Sequence, residues 1–145
     1  MTSFVFPGQG SQSVGMAKDF YDNFKISRLI FEEIEDYTQI NLRNIIFDNQ
    51  EEKLDLTQFT QLSIFATSYV IFKTYINEKD INIEDTNVMM GHSLGEYTAL
   101  ACSKKLTLKD CSLILKKRGE LMNNAVNPKD TGMAALIGKD DNYVQ

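Results

Sequence analysis

The chain of 145 residues contains few of the residue types that mark disulfide-rich, metal-binding or nucleic-acid-binding proteins. It has two cysteines, Cys102 and Cys111, and one histidine, His92, whose spacing fits neither a disulfide framework nor a metal site. The formal net charge is −5, and no run of basic residues alternates with aromatics. We therefore expect reduced core thiols, no bound metal and no nucleic-acid partner.

Long apolar runs are also absent. The most apolar stretch, residues 62–76, is interrupted by Ser63, Thr67 and Lys73, which makes it too polar to span a bilayer. The first residues lack the charged and apolar regions of a signal peptide. These features predict a cytoplasmic protein without a membrane segment.

The hydrophobic content of 43% is enough for the core of one domain, and strand-like and helical segments alternate along the chain. This alternation predicts an α/β fold with a mainly parallel sheet. After Gly138 the sequence resembles the opening of a helix that then stops, so we expect a truncated C-terminus. The predicted strands are residues 4–6, 88–90 and 133–137, and the predicted helical segments are residues 26–37, 42–46, 57–77, 94–102 and 108–126, the last capped by Thr107.

A serine lies between two glycines in residues 91–97, Gly-His-Ser-Leu-Gly-Glu-Tyr. The residues before this motif predict a buried strand and those after it a buried helix. A serine at such a strand-to-helix turn exposes its hydroxyl, and the first N–H groups of the helix are free to stabilise an oxyanion. The motif therefore predicts Ser93 as the nucleophile of an acyl transfer.

Arg118 lies at the middle of an otherwise apolar arc of the last predicted helix, between residues such as Leu115 and Leu121. An arginine there must extend to solvent, pair with an internal acid, or wait for an anionic ligand. A structural ion pair and a carboxylate-bearing substrate both remain open from the sequence.

The loop at residues 7–12 follows the first predicted strand but lacks the G-x-G-x-x-G spacing of a dinucleotide site, and the chain has no P-loop. Loops at the carboxyl ends of parallel strands gather at one edge of the sheet. We expect this loop to lie beside the elbow, where the amide of Gln9 can reach an acyl group or an oxyanion.

Three motifs occur together, Phe-Pro-Gly-Gln-Gly-Ser-Gln at residues 6–12, the elbow at residues 91–97, and Lys-Arg-Gly-Glu-Leu-Met at residues 117–122. In this order they resemble the malonyl-CoA:acyl carrier protein transacylase family. Thr60-Gln61 is also similar to the family, although Leu62 stands where a proline is common.

The resemblance implies that Ser93 attacks the malonyl thioester, that Leu94 through its backbone N–H and Gln9 form the oxyanion hole, and that Arg118 binds the malonyl carboxylate. It implies malonyl-CoA as substrate, acyl carrier protein as partner, and no cofactor or metal. The implied fold is a three-layer α/β-hydrolase-like core, here residues 1–126, truncated at the start of a ferredoxin-like subdomain, residues 127–145.

The sequence departs from the family in its catalytic base. The family supplies a histidine from the second half of its domain, whereas the one histidine here, His92, adjoins the nucleophile and points elsewhere at an elbow. Three hypotheses therefore stay open. In the first, the chain is the N-terminal portion of a malonyl transacylase, whether a fragment, a truncated reading frame or one half of a split enzyme. In the second it is a serine hydrolase or thioesterase, and in the third a truncated, non-catalytic remnant or an interaction protein that keeps the fold.

Overall fold

Two strands and five α-helices build the part of the chain that the computed structural model describes, residues 2–125. Short helical turns at Asn44–Asp48, Lys53–Asp55 and Ile83–Asp85 connect them. The strands are β1 (Thr2–Phe6) and β2 (Thr86–Gly91), and the helices are α1 (Lys18–Asn23), α2 (Lys25–Thr38), α3 (Thr57–Glu78), α4 (Gly95–Cys102) and α5 (Leu108–Asn124).

Strands β1 and β2 pair in parallel, with Phe4 opposite Met89 and Phe6 opposite Gly91. Parallel pairing requires a crossover connection, which the chain makes through α1, α2 and α3. The predicted α/β fold with a parallel sheet is confirmed. Because both strands run in the same direction, the loop after β1 and the elbow after β2 lie at the same edge.

The main core forms where α3 packs against α2, α4 and α5. Helix α3 is apolar around most of its circumference, and half of its residues are buried. The side chains of Phe31, Ile34, Phe65 and Leu115 are fully buried there.

Only one face of the sheet is covered by helices within residues 2–125. Phe4 packs edge-on against Phe72 of α3, with 4.9 Å between the ring centroids. On the opposite face Val5, Val88 and Met90 are 69%, 42% and 51% exposed. The prediction of a buried strand before the elbow was therefore wrong for Val88 and Met90, because burial of a strand depends on a layer on each face.

The N-terminus of α5 agrees with the sequence pattern. The Thr107 hydroxyl accepts a hydrogen bond from the Asp110 N–H at 3.0 Å, which confirms the predicted cap of α5. Cys102 and Cys111 are buried free thiols, also as predicted.

The predicted strand at residues 133–137 and the ferredoxin-like subdomain lie outside the described residues. Within residues 2–125, the helices are too short or too polar to traverse a lipid bilayer.

Candidate active site

Ser93 lies at a sharp turn between β2 and α4, as the Gly-His-Ser-Leu-Gly motif predicts. Its φ angle is +54°, in the left-handed region that residues other than glycine rarely adopt. The N–H groups of Gly95 and Glu96 bond to the carbonyls of His92 and Ser93, which starts α4 at once. The serine side chain is consequently exposed at the carboxyl end of the sheet.

The two glycines of the motif are required by close backbone packing. A methyl group at Gly91 would overlap the carbonyl group of Gly95, and one at Gly95 would lie 2.8 Å from the carbonyl oxygen of Pro7. The His92 N–H also donates to the Phe6 carbonyl at 3.0 Å. The loop after β1 therefore lies directly beside the elbow, which confirms that prediction.

Two backbone N–H groups near Ser93 are available to a ligand. Neither the N–H of Leu94 nor that of Gln9 donates a hydrogen bond to another described residue. The Leu94 side chain is fully buried, so its backbone alone can contribute. The side-chain amide of Gln9 donates to the Thr57 hydroxyl at 3.2 Å, at the start of α3.

The guanidinium of Arg118 connects α5 to the elbow. Its Nη2 donates to the Ser93 Oγ at 3.0 Å, and its Nη1 donates to the Gln61 Oε1. The guanidinium carbon also lies 6.0 Å from the centre of the Tyr97 ring, within the range of a cation–π contact. The structure thus brings two predicted site residues, Ser93 and Arg118, into direct contact.

Arg118 has no carboxylate partner within residues 2–125. Arg43 shows the contrast, because its guanidinium donates twice to Glu35, at 2.8 and 2.6 Å, and once to the Tyr21 hydroxyl. Of the alternatives that the sequence left open, the internal ion pair is therefore not seen in the described part. A half-buried guanidinium bound to neutral groups is available to an anionic ligand.

The surroundings of Arg118 are more open than its helical arc predicts. Cys111 and Leu115 of that arc are buried, but Ile114, Leu121 and Met122 are 39%, 58% and 43% exposed. Within residues 2–125 the apolar arc of α5 is therefore only partly buried, although the helix packs against α2, α3 and α4.

Sequence patterns alone did not single out Gln61 as a site residue. Its amide is fully buried, accepts from Arg118 and donates to the Met122 sulfur at 3.1 Å. This contact is possible because α3 and α5 pack closely at Gly119. A methyl group at that position would lie only 2.9 Å from the Thr57 carbonyl oxygen, so the packing leaves no room for a side chain there. A glutamine inside an apolar helix is the signal that marks such a residue.

The described residues hold no general base at Ser93. The hydroxyl has Arg118 as its hydrogen-bond partner, and the His92 ring lies against Gly8 instead. Among residues 2–125 no three His, Cys, Asp or Glu side chains are grouped so that they could hold a metal ion. This part of the site therefore combines an exposed serine hydroxyl, two backbone N–H groups without an acceptor among residues 2–125, and a guanidinium.

The fold and the site define an α/β protein with an exposed serine, at a sharp strand-to-helix turn, facing a guanidinium. A family model described as the acyl transferase domain matches residues 3–143. The chain belongs to this acyl transferase family.

Named relatives agree with this membership. The malonyl CoA-acyl carrier protein transacylase of Bacillus subtilis is 38% identical over 138 residues, which is 95% of this chain and 42% of that protein. A solved acyl-carrier-protein-S-malonyltransferase from Bartonella henselae has a TM-score of 0.82 at 36% identity, over 88% of this chain and 41% of that one. A solved type II PKS acyl-carrier protein in complex with its malonyl-transacylase has a TM-score of 0.79 at 36% identity. This match covers 86% of the present chain and 40% of the solved one. The chain spans about two fifths of the length of these relatives.

Proposed function

We propose that this chain carries the nucleophile and the carboxylate clamp of a transacylase that moves malonyl groups from malonyl-CoA to acyl carrier protein in fatty-acid biosynthesis. One observation carries the proposal. The Arg118 guanidinium lies 3.0 Å from the Ser93 hydroxyl and has no acid beside it within residues 2–125. A malonyl ester on Ser93 would place its free carboxylate only a few bonds away, within reach of the guanidinium fork.

In the first half of the proposed reaction, the Ser93 Oγ attacks the thioester carbonyl of malonyl-CoA. The new C–O bond forms while the C–S bond breaks, coenzyme A leaves as the thiol, and a general base relays the serine proton. During this step the Nη2 of Arg118 gives up its hydrogen bond to the serine oxygen and donates to the malonyl carboxylate instead. The hydrogen bond from Nη1 to Gln61 is retained.

Negative charge on the carbonyl oxygen would be stabilised by the backbone N–H groups of Leu94 and Gln9. Both are without an acceptor among the described residues, and both belong to segments that adjoin Ser93. Donors that are fixed before the reaction stabilise an oxyanion without reorganisation. Gln9 would act through its backbone, because its side-chain amide is bonded to Thr57.

In the second half, the thiol of the phosphopantetheine arm of acyl carrier protein attacks the malonyl-serine and regenerates the hydroxyl. The solved complex of an acyl-carrier protein with its malonyl-transacylase, 36% identical to this chain, supports this partner. The reaction uses malonyl-CoA as a substrate and needs neither a cofactor nor a metal, and we place it in the cytoplasm. A hydrolase of neutral esters is the weaker alternative, because it gains nothing from a guanidinium beside its serine that no acid of residues 2–125 pairs.

The proposal is tested by the intact mass of the purified chain after incubation with malonyl-CoA. We expect a malonyl-sized increase that is lost in Ser93→Ala and retained in Ser103→Ala, a serine at the opposite end of α4. Loss of the base leaves residual catalysis from the donors and from binding, so the adduct accumulates slowly. A folded chain that stays unmodified, or an adduct that persists in Ser93→Ala, contradicts the proposal.

A further inference from the structure

The thioether sulfur of Met122 takes part in the hydrogen bonds that hold the Arg118 guanidinium. The Gln61 Nε2 donates to this sulfur at 3.1 Å, while the Oε1 of the same amide accepts from the Nη1 of Arg118. Arg118 and Met122 are four residues apart on α5, so their side chains lie on the same face of the helix. Met122 is therefore connected to the guanidinium through a single side-chain amide.

The sulfur of Met122 is also accessible to small oxidants. Its side chain is 43% exposed, whereas Gln61 is fully buried. The thiols of Cys102 and Cys111 are buried, and burial raises the pKa of Cys111 to about 11, which leaves little of the reactive thiolate. A thioether needs no ionisation to be converted to a sulfoxide. The described residues thus hold an exposed, oxidisable sulfur against the amide that binds Arg118.

An oxygen atom on this sulfur would disturb Gln61. A thioether is a weak acceptor, whereas a sulfoxide is polar and carries its acceptor on the added oxygen. The Nε2 and the sulfur are 3.1 Å apart, which leaves no space for an atom between them, so either the amide or the sulfur must move. If the amide moves, its Oε1 moves with Nε2 because the group is planar. The hydrogen bond from Arg118 is then altered as well.

If the sulfur turns instead, the new oxygen comes within reach of the guanidinium one helical turn away. A guanidinium has donors and no acceptors, so the sulfoxide oxygen would occupy an N–H that the proposed malonyl carboxylate needs. Both arrangements weaken carboxylate binding, and neither involves the backbone donors of Leu94 and Gln9. Acylation by a thioester that lacks a carboxylate should therefore be affected less than acylation by malonyl-CoA.

We propose that Met122 is an oxidation site through which hydrogen peroxide reversibly lowers the preference of Ser93 for malonyl groups. A lone pair of the sulfur attacks one peroxide oxygen, and the S–O bond forms while the O–O bond breaks. The departing hydroxide takes the proton of the transferred oxygen and becomes water, so the sulfur loses two electrons and the peroxide gains them. Methionine sulfoxide reductases with a thiol reductant reverse the change. The inference rests on the proposed function for its malonyl step.

The experiment treats the 145-residue chain with hydrogen peroxide and makes three measurements. Peptide mapping by mass spectrometry reports sulfoxide at each methionine, and NMR reports the side-chain amide resonances of Gln61. The third measurement is the ratio of initial Ser93 acylation rates from malonyl-CoA and acetyl-CoA. We expect sulfoxide at Met122, shifted Gln61 resonances and a ratio lowered about tenfold, as for the loss of one hydrogen bond to a charged group. Reductase treatment should restore the ratio.

Two variants assign the effect to one sulfur. Met122→Leu removes the thioether with little change in volume, and peroxide should leave its ratio unchanged. Met90→Leu is the matched control, because Met90 is 51% exposed and its sulfur has no hydrogen-bond partner among residues 2–125. Peroxide should lower the ratio of this variant as in the unsubstituted chain. Thermal melting before and after treatment verifies that each protein is folded, and the reductase step tests the proposal without any substitution.

Sulfoxide at Met122 with an unchanged ratio and unshifted Gln61 resonances overturns the inference. A lowered ratio that persists in Met122→Leu overturns it too, because another residue is then the oxidation site. So does a Met122 that stays reduced while Met90 is oxidised. Shifted Gln61 resonances in an oxidised chain that neither thioester acylates support the oxidation site and contradict the proposed function.

Discussion

Replacing Arg118 by glutamine separates two contributions of its guanidinium beside Ser93. The hydrogen bond from Nη2 to the serine oxygen acts on the nucleophile, whatever acyl group arrives. The proposed contact with the malonyl carboxylate acts on malonyl-CoA alone. The ratio of acylation rates from malonyl-CoA and acetyl-CoA therefore isolates the second contribution.

The size of this effect follows from the two N–H groups that the guanidinium can direct at a carboxylate. Hydrogen bonds to charged groups contribute about 1.5–3 kcal/mol each, so losing two at the lower end costs about 3 kcal/mol. Each 1.36 kcal/mol is tenfold in rate, which predicts a loss of about a hundredfold in malonyl preference. Arg118→Lys keeps the charge but not the planar fork, and we expect an intermediate loss of about tenfold.

The assay is the initial rate of Ser93 acylation by each thioester, followed by intact mass. Lys117→Gln is the matched control, because its side chain on the same helix is 67% exposed and forms a long ion pair with Glu120 at 3.7 Å. Arg118→Gln also leaves the buried amide of Gln61 without its donor, at a cost of about 1–3 kcal/mol, so chemical denaturation must show that the variant is folded. An unchanged ratio with both rates lowered equally refutes the clamp.

Three further predictions concern the fold. Gly91→Ala should lower the free energy of unfolding in urea by at least about 1–3 kcal/mol, because its methyl group overlaps Gly95, and an unchanged midpoint contradicts this packing. Thr107→Ala should cost about 1 kcal/mol in the same assay, with Thr107→Ser restoring it. Burial raises the pKa of Cys111 from 9.0 to about 11 and that of Cys102 as well. The unfolded thiols ionise first, so stability should fall between pH 9 and 11, and less in the double alanine variant.

The elements that the sequence predicts well are those whose signals are local. The spacing of apolar residues predicts α2 and α3 with ends that differ by at most one residue from the structure. A threonine just before the apolar-periodic segment predicts the start of α5. The elbow at Ser93 is equally local, because the motif contains both the turn and the glycines that permit it.

The features that local patterns could not predict depend on distant segments. Val88 and Met90 have the apolar character of buried strand residues, but their exposure is set by whether a layer covers that face of the sheet. The link from Gln61 to Arg118 depends on how closely α3 and α5 approach at Gly119. The spacing of residues along one helix contains no information about that approach. The position of Arg118 on the apolar arc was therefore predictable, whereas its hydrogen bond to Gln61 was not.

Two energetically unfavourable features of this fold, the left-handed backbone of Ser93 and the half-buried guanidinium of Arg118, lie in direct contact. A left-handed serine costs about 1–2 kcal/mol, and a half-buried guanidinium that has no acid beside it among residues 2–125 is stabilised less there than one that has a carboxylate. The same chain binds Arg43 to Glu35, so it can satisfy an arginine when only stability is required. Stability alone therefore gives no reason to hold Arg118 against Gln61 and Ser93. The carboxylate of the proposed malonyl substrate would give that reason, because it would balance the charge of Arg118 when Ser93 releases its hydrogen bond.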